Sequence, residues 1–182
     1  MRKISYAINM SIDGCVGHTS FGGSPDAELF EYFNSMLQDV DLIVYGRKMY
    51  QIMFPYWADE ANWVTEWETE FGQRITSLNK IVFSRSLASA EYNTHIVRTD
   101  PVEELLKLKQ APGKNISLDT VSMFAQLAAA GLIDEFHLVV HPVIAGRGPY
   151  LVEGNLAERL QLKLAETKVF KSGCVALMYI KS

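Results

Sequence analysis

The chain has 182 residues, 48% of them hydrophobic, and a formal net charge of −4 at pH 7. This length and composition fit one compact domain, residues 1–182, with a full hydrophobic core. The negative charge excludes a general electrostatic attraction to nucleic acid or to anionic membranes, and no apolar run reaches the ~18 residues that a membrane-spanning helix needs.

Strand and helix patterns alternate through the first 131 residues. The predicted strands are apolar runs at 3–10, 40–45, 80–83, 95–98 and 115–118. The predicted helices open at Ser24 and Arg47, span 63–78, open again at Thr99, and run from Asp119 and Thr120 to Gly131. Between them, residues 54–62 have the aromatic, Pro-containing composition of an irregular surface segment.

The last third of the chain is rich in strand patterns. A long strand is predicted at 135–145, and residues 162–168 and 174–180 read as an antiparallel pair joined by a Gly-containing turn. The order predicts an α/β fold with a mostly parallel central sheet, an antiparallel C-terminal edge and helices on both faces.

Two of the early strands end in residues that suit an anion. The strand at 40–45 stops at Gly46, and Arg47 and Lys48 then open a helix. Ser84 and Arg85 follow the strand at 80–83 and offer a hydroxyl and a guanidinium group. Ligands of open α/β sheets bind at the carboxyl ends of strands, and helix N-termini favour anions. A solvated strand-to-helix connection is the alternative for each motif alone.

Four motifs occur together in one order. They are SIDG at 11–14, YGRKMY at 45–50, KIVFSRSL at 80–87 and AAAGLIDEFHLVVHPVIAGRG at 128–148. In this order they resemble the dihydrofolate-reductase-like superfamily, and within it the group of the riboflavin-biosynthesis reductase domain (RibD C-terminal domain-like). The resemblance implies that Gly46, Arg47 and Lys48 bind NADPH, with the pair Ser84 and Arg85 at the adenosine 2′-phosphate.

The chain departs from the resemblance at one place in the expected cofactor site. Family members usually carry a glycine pair where this chain has Asp119 and Thr120. A carboxylate there would cap the helix itself and repel a pyrophosphate. The helix start still offers the N–H groups of Val121 and Ser122 and the hydroxyls of Thr120 and Ser122. Two outcomes remain open: the cofactor is displaced, or it binds weakly.

Asp13 is the first catalytic candidate, because it follows the first strand beside a glycine and the resemblance places this aspartate near the nicotinamide. A local Asp-Gly turn is the alternative. Glu28, on the first helix, is the second candidate, and surface charge that complements the helix dipole is its alternative. His141 lies in an apolar strand, where a structural role is favoured over that of a general acid.

The sequence therefore predicts an NADPH-dependent reductase that transfers a hydride to a small polar heterocycle or sugar derivative. Ribosylaminopyrimidine reduction in riboflavin biosynthesis is what the resemblance implies. The alternative is a non-catalytic nucleotide-binding protein on the same scaffold. Cys15 and Cys174 match no metal-binding spacing, and reduced thiols predict a cytoplasmic location.

A homodimer is also predicted. The strand from Phe136 onwards is apolar and belongs to a side of the sheet that ends in strands, and such an edge needs a cover. The expected interface residues are Phe136, Leu138, Val140, Tyr150 and Leu151. In the alternative, these residues form monomer core under the helix that ends at Gly131.

Overall fold

The computed structural model describes residues 1–17, 27–152, 156 and 158–181. The strands of this part of the chain are β1 Ile4–Ser11, β2 Val40–Gly46, β3 Asn79–Phe83, β4 Thr94–Val97, β5 Asn115–Asp119, β6 Glu135–His141, β7 Leu162–Val169 and β8 Val175–Lys181. The α-helices are α1 Ala27–Met36, α2 Arg47–Trp57, α3 Glu66–Ser77, α4 Pro101–Gln110 and α5 Phe124–Ala129. The predicted helix start at Ser24 lies outside the described residues.

One sheet contains all of these strands in the order β4-β3-β2-β5-β1-β6-β8-β7. The strands from β4 to β6 are parallel to their neighbours, and β8 is antiparallel to both β6 and β7. This arrangement confirms the predicted mostly parallel sheet with an antiparallel C-terminal edge. In the register, Tyr45 of β2 lies opposite Asp119 of β5, and Gly46 lies opposite Phe83 of β3.

Helices cover the two faces of the sheet. On one face, aromatic rings of α1, α2 and α3 pack together: the ring centroids of Phe30 and Trp57 are 5.7 Å apart, and those of Trp57 and Phe71 are 4.9 Å apart. On the other face, Phe124 of α5 packs on Tyr6 with ring centroids 4.7 Å apart. Because side chains alternate along a strand, neighbours of Tyr6 in β1 face α1 to α3 instead.

The structure corrects the predicted end of α2. The segment 54–62 was expected to be irregular, yet α2 continues through Pro55 to Trp57. Phe54 and Trp57 are buried in the core, so their packing holds the last turn in helical form despite the proline. After a break, residues Glu60–Asn62 form a 3₁₀ helix.

Two later boundaries also differ from the prediction. The helix expected directly after Thr120 begins only at Phe124, because the Thr120 hydroxyl accepts a hydrogen bond from the Met123 N–H (3.3 Å) and closes a turn first. The predicted C-cap is confirmed, since Gly131 has a φ of +67°. Strand β6 ends at His141, four residues before the predicted end.

Strand β6 is internal, which revises the expected dimer surface. It pairs with β1 on one side and β8 on the other, so the exposed edge is β7. Phe136 is only 2% exposed and packs against Phe124, with ring centroids 6.2 Å apart. Phe136 is therefore monomer core, as the alternative held. Tyr150 is exposed and keeps its place among the interface candidates.

Candidate functional site

The carboxyl ends of three neighbouring strands meet at one edge of the sheet. Strands β3, β2 and β5 are adjacent and parallel. The residues that follow them, Gly46 to Met49, Ser84 with Arg85, and Thr120 to Ser122, are called the rim below. The predicted cofactor residues are thus brought together, and the rim has the position that ligands occupy in open α/β sheets.

Gly46 lies against the start of the loop after β5. A Cβ atom on Gly46 would lie 2.5 Å from Thr120 Oγ1 and 3.4 Å from Ser122 Oγ. Thr120 has no exposed surface, and its hydroxyl already accepts from the Met123 N–H. Direct contact between Thr120 and a cofactor is therefore not supported. Its side chain instead holds the turn against Gly46.

The rim has backbone N–H groups that donate no hydrogen bond within the described part of the chain. Helix α2 has no side-chain cap at Gly46, so its first N–H groups are left for solvent or a ligand. The N–H groups of Val121 and Ser122 donate no hydrogen bond to a described residue. Lys48 is exposed, and Arg47 donates a hydrogen bond to Gln51 of its own helix (2.9 Å). The rim therefore favours an anion.

Ser84 and Arg85 have different roles in the loop after β3. The Ser84 hydroxyl accepts hydrogen bonds from the N–H groups of Ser86 (3.3 Å) and Leu87 (2.9 Å), which shapes the turn. Arg98, at the end of the adjacent β4, donates to the carbonyls of Ser84 and Arg85 (both 3.0 Å). The Arg85 side chain remains exposed. The sequence analysis missed Arg98; its place after a parallel neighbouring strand was the available signal.

Asp13 joins two loops. Its carboxylate accepts hydrogen bonds from the Ser11 hydroxyl (2.6 Å) and from the N–H groups of Ala145 (3.0 Å) and Gly146 (2.8 Å). These hydrogen bonds lower the pKa of Asp13 to about 2, and the bond from the Ser11 hydroxyl makes the largest contribution. A carboxylate that is charged at neutral pH and already satisfied is a poor proton donor. The contacts favour a structural role for Asp13.

Glu28 is bound to the turn between β7 and β8. It accepts a hydrogen bond from the Lys171 N–H (3.0 Å) and forms an ion pair with Lys171 Nζ (2.9 Å). The backbone hydrogen bond from Lys171, followed by its ammonium group, lowers the pKa of Glu28. Neither Glu28 nor Asp13 lines the cavity described next. The surface alternative is favoured for Glu28.

A cavity of about 290 Å³ lies between the sheet and α1, α2 and α3. Its walls are mostly apolar and include Phe30, Phe33 and Trp57. The side chains with polar atoms that line it are Asn9, Tyr45, Trp57, Ser117, Asp119 and His141. A small-molecule site usually has this composition, with a few polar groups among many apolar ones.

Asp119 connects the cavity to the rim. It is the last residue of β5, and it lines the cavity, whereas Thr120 packs on Gly46 in the rim. Burial raises the pKa of the Asp119 carboxyl group to about 7. The carboxylate therefore lies beside the apolar cavity, which differs from the position over a pyrophosphate that the sequence suggested.

His141 also lines the cavity. Its Nε2 atom lies 2.9 Å from Asn9 Oδ1, and its Nδ1 atom lies 3.4 Å from Cys174 Sγ. Both contacts fix the ring, as expected for a structural histidine, although the ring faces the cavity as well. Among the described residues, no group of three His, Cys, Asp or Glu side chains could hold a metal ion.

The sheet order, with its antiparallel C-terminal edge, is that of the dihydrofolate-reductase-like fold. The chain belongs to the RibD C-terminal domain family, whose family model matches residues 2–176. It is 31% identical over 173 residues to uncharacterized protein YyaP of Bacillus subtilis (strain 168), which covers 94% of this chain and 85% of that protein.

Solved structures show the same fold at low sequence identity. RibD from Acinetobacter baumannii is 13% identical with a TM-score of 0.71, and the match covers 100% of this chain and 58% of that one. Dihydrofolate reductase from Enterococcus faecalis is 12% identical with a TM-score of 0.65, covering 99% and 96%. In the described part of the chain, no helix has the length and apolar character needed to cross a membrane.

Proposed function

We propose that this protein is an NADPH-dependent reductase that transfers a hydride to a small polar heterocycle or sugar derivative. The observation that carries the proposal is the rim. An uncapped helix start, cationic side chains and the N–H groups of Val121 and Ser122, which have no acceptor among the described residues, lie there next to an apolar cavity. The Enterococcus faecalis dihydrofolate reductase that shares the fold was solved with NADP(H), which supports a dinucleotide at this rim.

The residues present fit such a cofactor. The N–H groups at the start of α2 and those of Val121 and Ser122 would hold the pyrophosphate, with Arg47 and Lys48 adding positive charge. The exposed guanidinium of Arg85 would bind the 2′-phosphate. The nicotinamide, when bound, supplies the hydride. The apolar side chains that α1, α2 and α3 contribute to the cavity would exclude water from the reacting groups and orient them.

The substrate that the family favours is a ribosylaminopyrimidine of riboflavin biosynthesis, reduced in the cytoplasm. Membership in the RibD C-terminal domain family supports this substrate, and the aromatic walls of the cavity offer flat apolar surface to a ring. A non-catalytic nucleotide-binding protein is the second candidate. Its support is that both acids predicted to be catalytic, Asp13 and Glu28, are engaged elsewhere.

A fluorescence titration with NADPH and NADH tests the cofactor. We expect tighter binding of NADPH, because a charge-assisted hydrogen bond from Arg85 to the extra phosphate contributes about 1.5–3 kcal/mol, or roughly tenfold or more in affinity. Arg85→Ala should remove most of this preference. Lys163→Ala, which removes an exposed cation of β7 outside the rim, is the matched control and should leave it unchanged.

Equal affinity of the unaltered protein for NADH and NADPH would contradict the role of Arg85, and absence of binding by either would contradict the proposed function. Binding of NADPH without oxidation, across a panel of small heterocycles and sugars, favours the non-catalytic candidate.

A further inference from the structure

Cys174 lies directly below the surface turn that joins β7 and β8. The turn residues 171–173 are exposed, whereas Cys174 is only 4% exposed. Its side chain belongs to a small apolar cluster with Leu29, Val139, Phe170 and Ala176. Such surroundings favour the neutral thiol and disfavour the entry of large or charged molecules. A reaction at this sulfur therefore requires a base beside it and a small, uncharged reagent.

The base is the imidazole of His141, whose Nδ1 atom lies 3.4 Å from Cys174 Sγ. On the other side of the ring, Nε2 lies 2.9 Å from Asn9 Oδ1. An amide oxygen only accepts hydrogen bonds, so Nε2 carries a proton and the neutral ring presents the lone pair of Nδ1 to the thiol. A nucleophile, a base within hydrogen-bond reach and a third group that orients the base together make an activated thiol.

We propose that Cys174 is a nucleophilic thiol, activated by His141 and oriented through Asn9, that hydrogen peroxide and other small hydroperoxides oxidise to a sulfenic acid. The thiol proton passes to His141 Nδ1, the sulfur attacks one peroxide oxygen, and the O–O bond breaks. The leaving oxygen takes the proton from His141 and departs as water or alcohol. Sulfur loses two electrons and the peroxide gains two. The inference goes beyond the proposed function, because it needs neither NADPH nor a substrate.

Cys15 is an internal control for this reaction. It is also buried, with 0% exposure, and its thiol donates a hydrogen bond to the Arg147 carbonyl (3.4 Å). A carbonyl oxygen accepts a hydrogen bond but does not remove the thiol proton at neutral pH. Burial by itself protects both cysteines to a similar degree. A large difference between their oxidation rates therefore reports the imidazole beside Cys174.

The test exposes the full chain to hydrogen peroxide at neutral pH, both folded and unfolded in guanidinium chloride. After desalting, the chain is unfolded and alkylated with iodoacetamide, and mass spectrometry of the peptides measures the thiol that remains at each cysteine. We expect Cys174 of the folded protein to react roughly tenfold or more faster than Cys15. We also expect it to react no more slowly than Cys174 of the unfolded chain, which is the opposite of what burial alone would give.

Replacing the base gives the second readout. His141→Gln keeps a polar side chain without a basic nitrogen, and we expect it to slow the oxidation of Cys174 about tenfold to a hundredfold. This loss should shrink as the pH becomes alkaline, because the thiol then ionises without a base; a purely structural effect would not follow pH in this way. His95→Gln, at an exposed position of β4, is the matched control and should leave the rate within about twofold.

The role of Asn9 is tested by Asn9→Ala, which leaves the base in place but removes the acceptor for Nε2. We expect a smaller loss of rate than for His141→Gln, with the same dependence on pH. An unchanged rate in this variant would remove the orienting role of Asn9.

Three results overturn the proposal: equal oxidation rates of Cys174 and Cys15 in the folded protein, faster oxidation of Cys174 in the unfolded chain, or an unchanged rate in the His141→Gln variant. Equal rates would mean that both thiols react only when the fold opens. Near-ultraviolet circular dichroism of each variant reports whether the fold is retained. If His141→Gln does not fold, the comparison of the two cysteines in the unaltered protein decides.

Discussion

At position 119, a carboxyl group lies on the cavity side of a strand end while the next residue, Thr120, faces the rim. Burial raises its pKa to about 7 from an ordinary value near 3.8. Between these two pH values the folded protein keeps a proton that the unfolded chain releases. The contribution of Asp119 to stability is therefore unfavourable at neutral pH, and it grows more unfavourable as the pH rises from 3.8 to about 7.

Replacing Asp119 with Asn tests this linkage. We expect Asp119→Asn to raise the free energy of unfolding at pH 8 by up to a few kcal/mol, because the neutral amide avoids the cost of burying a charge. At pH 4 or below, the two proteins should differ little. Urea denaturation at both pH values measures the difference, and a stabilisation that is the same at pH 4 and pH 8 would show that Asp119 is not the titrating group.

The sequence predicted the individual residues of the rim better than their roles. Gly46, Arg47 and Lys48 followed from a buried strand that stops at glycine. That Thr120 is buried and Asp119 faces the cavity depends on the last pair of the β5 register, Tyr45 with Asp119. Successive side chains of a strand point to opposite faces of the sheet. The face on which Asp119 lies therefore cannot be assigned until the strand's final residue is known.

At the scale of elements, the contact between Gly46 and Thr120 joins the start of α2 to the end of β5. Gly46 has a φ of −77°, which any residue adopts, so only the close approach requires glycine. We expect Gly46→Ala to destabilise the protein by about 1–3 kcal/mol, because the new methyl group overlaps a buried side chain. Urea denaturation measures this loss.

A double-mutant cycle separates this contact from other causes. Thr120→Gly removes the two atoms nearest to a Cβ at position 46 and leaves Ser122 Oγ at 3.4 Å, which is an ordinary van der Waals contact. In the background of Thr120→Gly, the cost of Gly46→Ala should therefore be much smaller. If the losses of stability of the two single variants simply add in the double variant, the start of α2 and the end of β5 do not meet as described.

Elements with a strong apolar pattern were predictable, and those decided by tertiary packing were not. Strands β1, β2, β3 and β5 contain runs of buried residues, and the predicted bounds of these strands agree with the structure within one residue. The last turn of α2 contains Pro55, whose local preference is against a helix interior. The burial of Phe54 and Trp57 overrides that preference, and nothing in the local sequence indicates it.

For the whole molecule, the sheet order brings together segments that are distant in the chain. The motif order predicted the fold because sequential βα units in parallel sheets leave few topologies. The cavity was not predictable in the same way. Apart from Trp57 of α2, its polar lining comes from β1, β2, β5 and the end of β6, and only the assembled sheet shows that these side chains share one face.

The exposed strand β7 supports the proposed homodimer. Seven of its eight residues are exposed, and an unpaired edge strand is a site for pairing with a second copy.

We expect light scattering to give a mass near twice 20.5 kDa. Leu164→Lys, at a residue 48% exposed on β7, should shift the protein toward monomer, whereas Leu106→Lys, at a residue 46% exposed on α4, should not. A mass of 20.5 kDa for the unaltered protein would remove the dimer.

The central claim is that the rim binds the dinucleotide, and amide chemical-shift mapping with NADPH tests it most directly. With saturating NADPH, we predict the largest nitrogen-15 and proton shifts at the amides of Arg47, Lys48, Val121 and Ser122, with a further group around Arg85. The amides of β7 and β8 should change little. Shifts confined to other parts of the sheet, or no shifts at millimolar NADPH, would contradict the account.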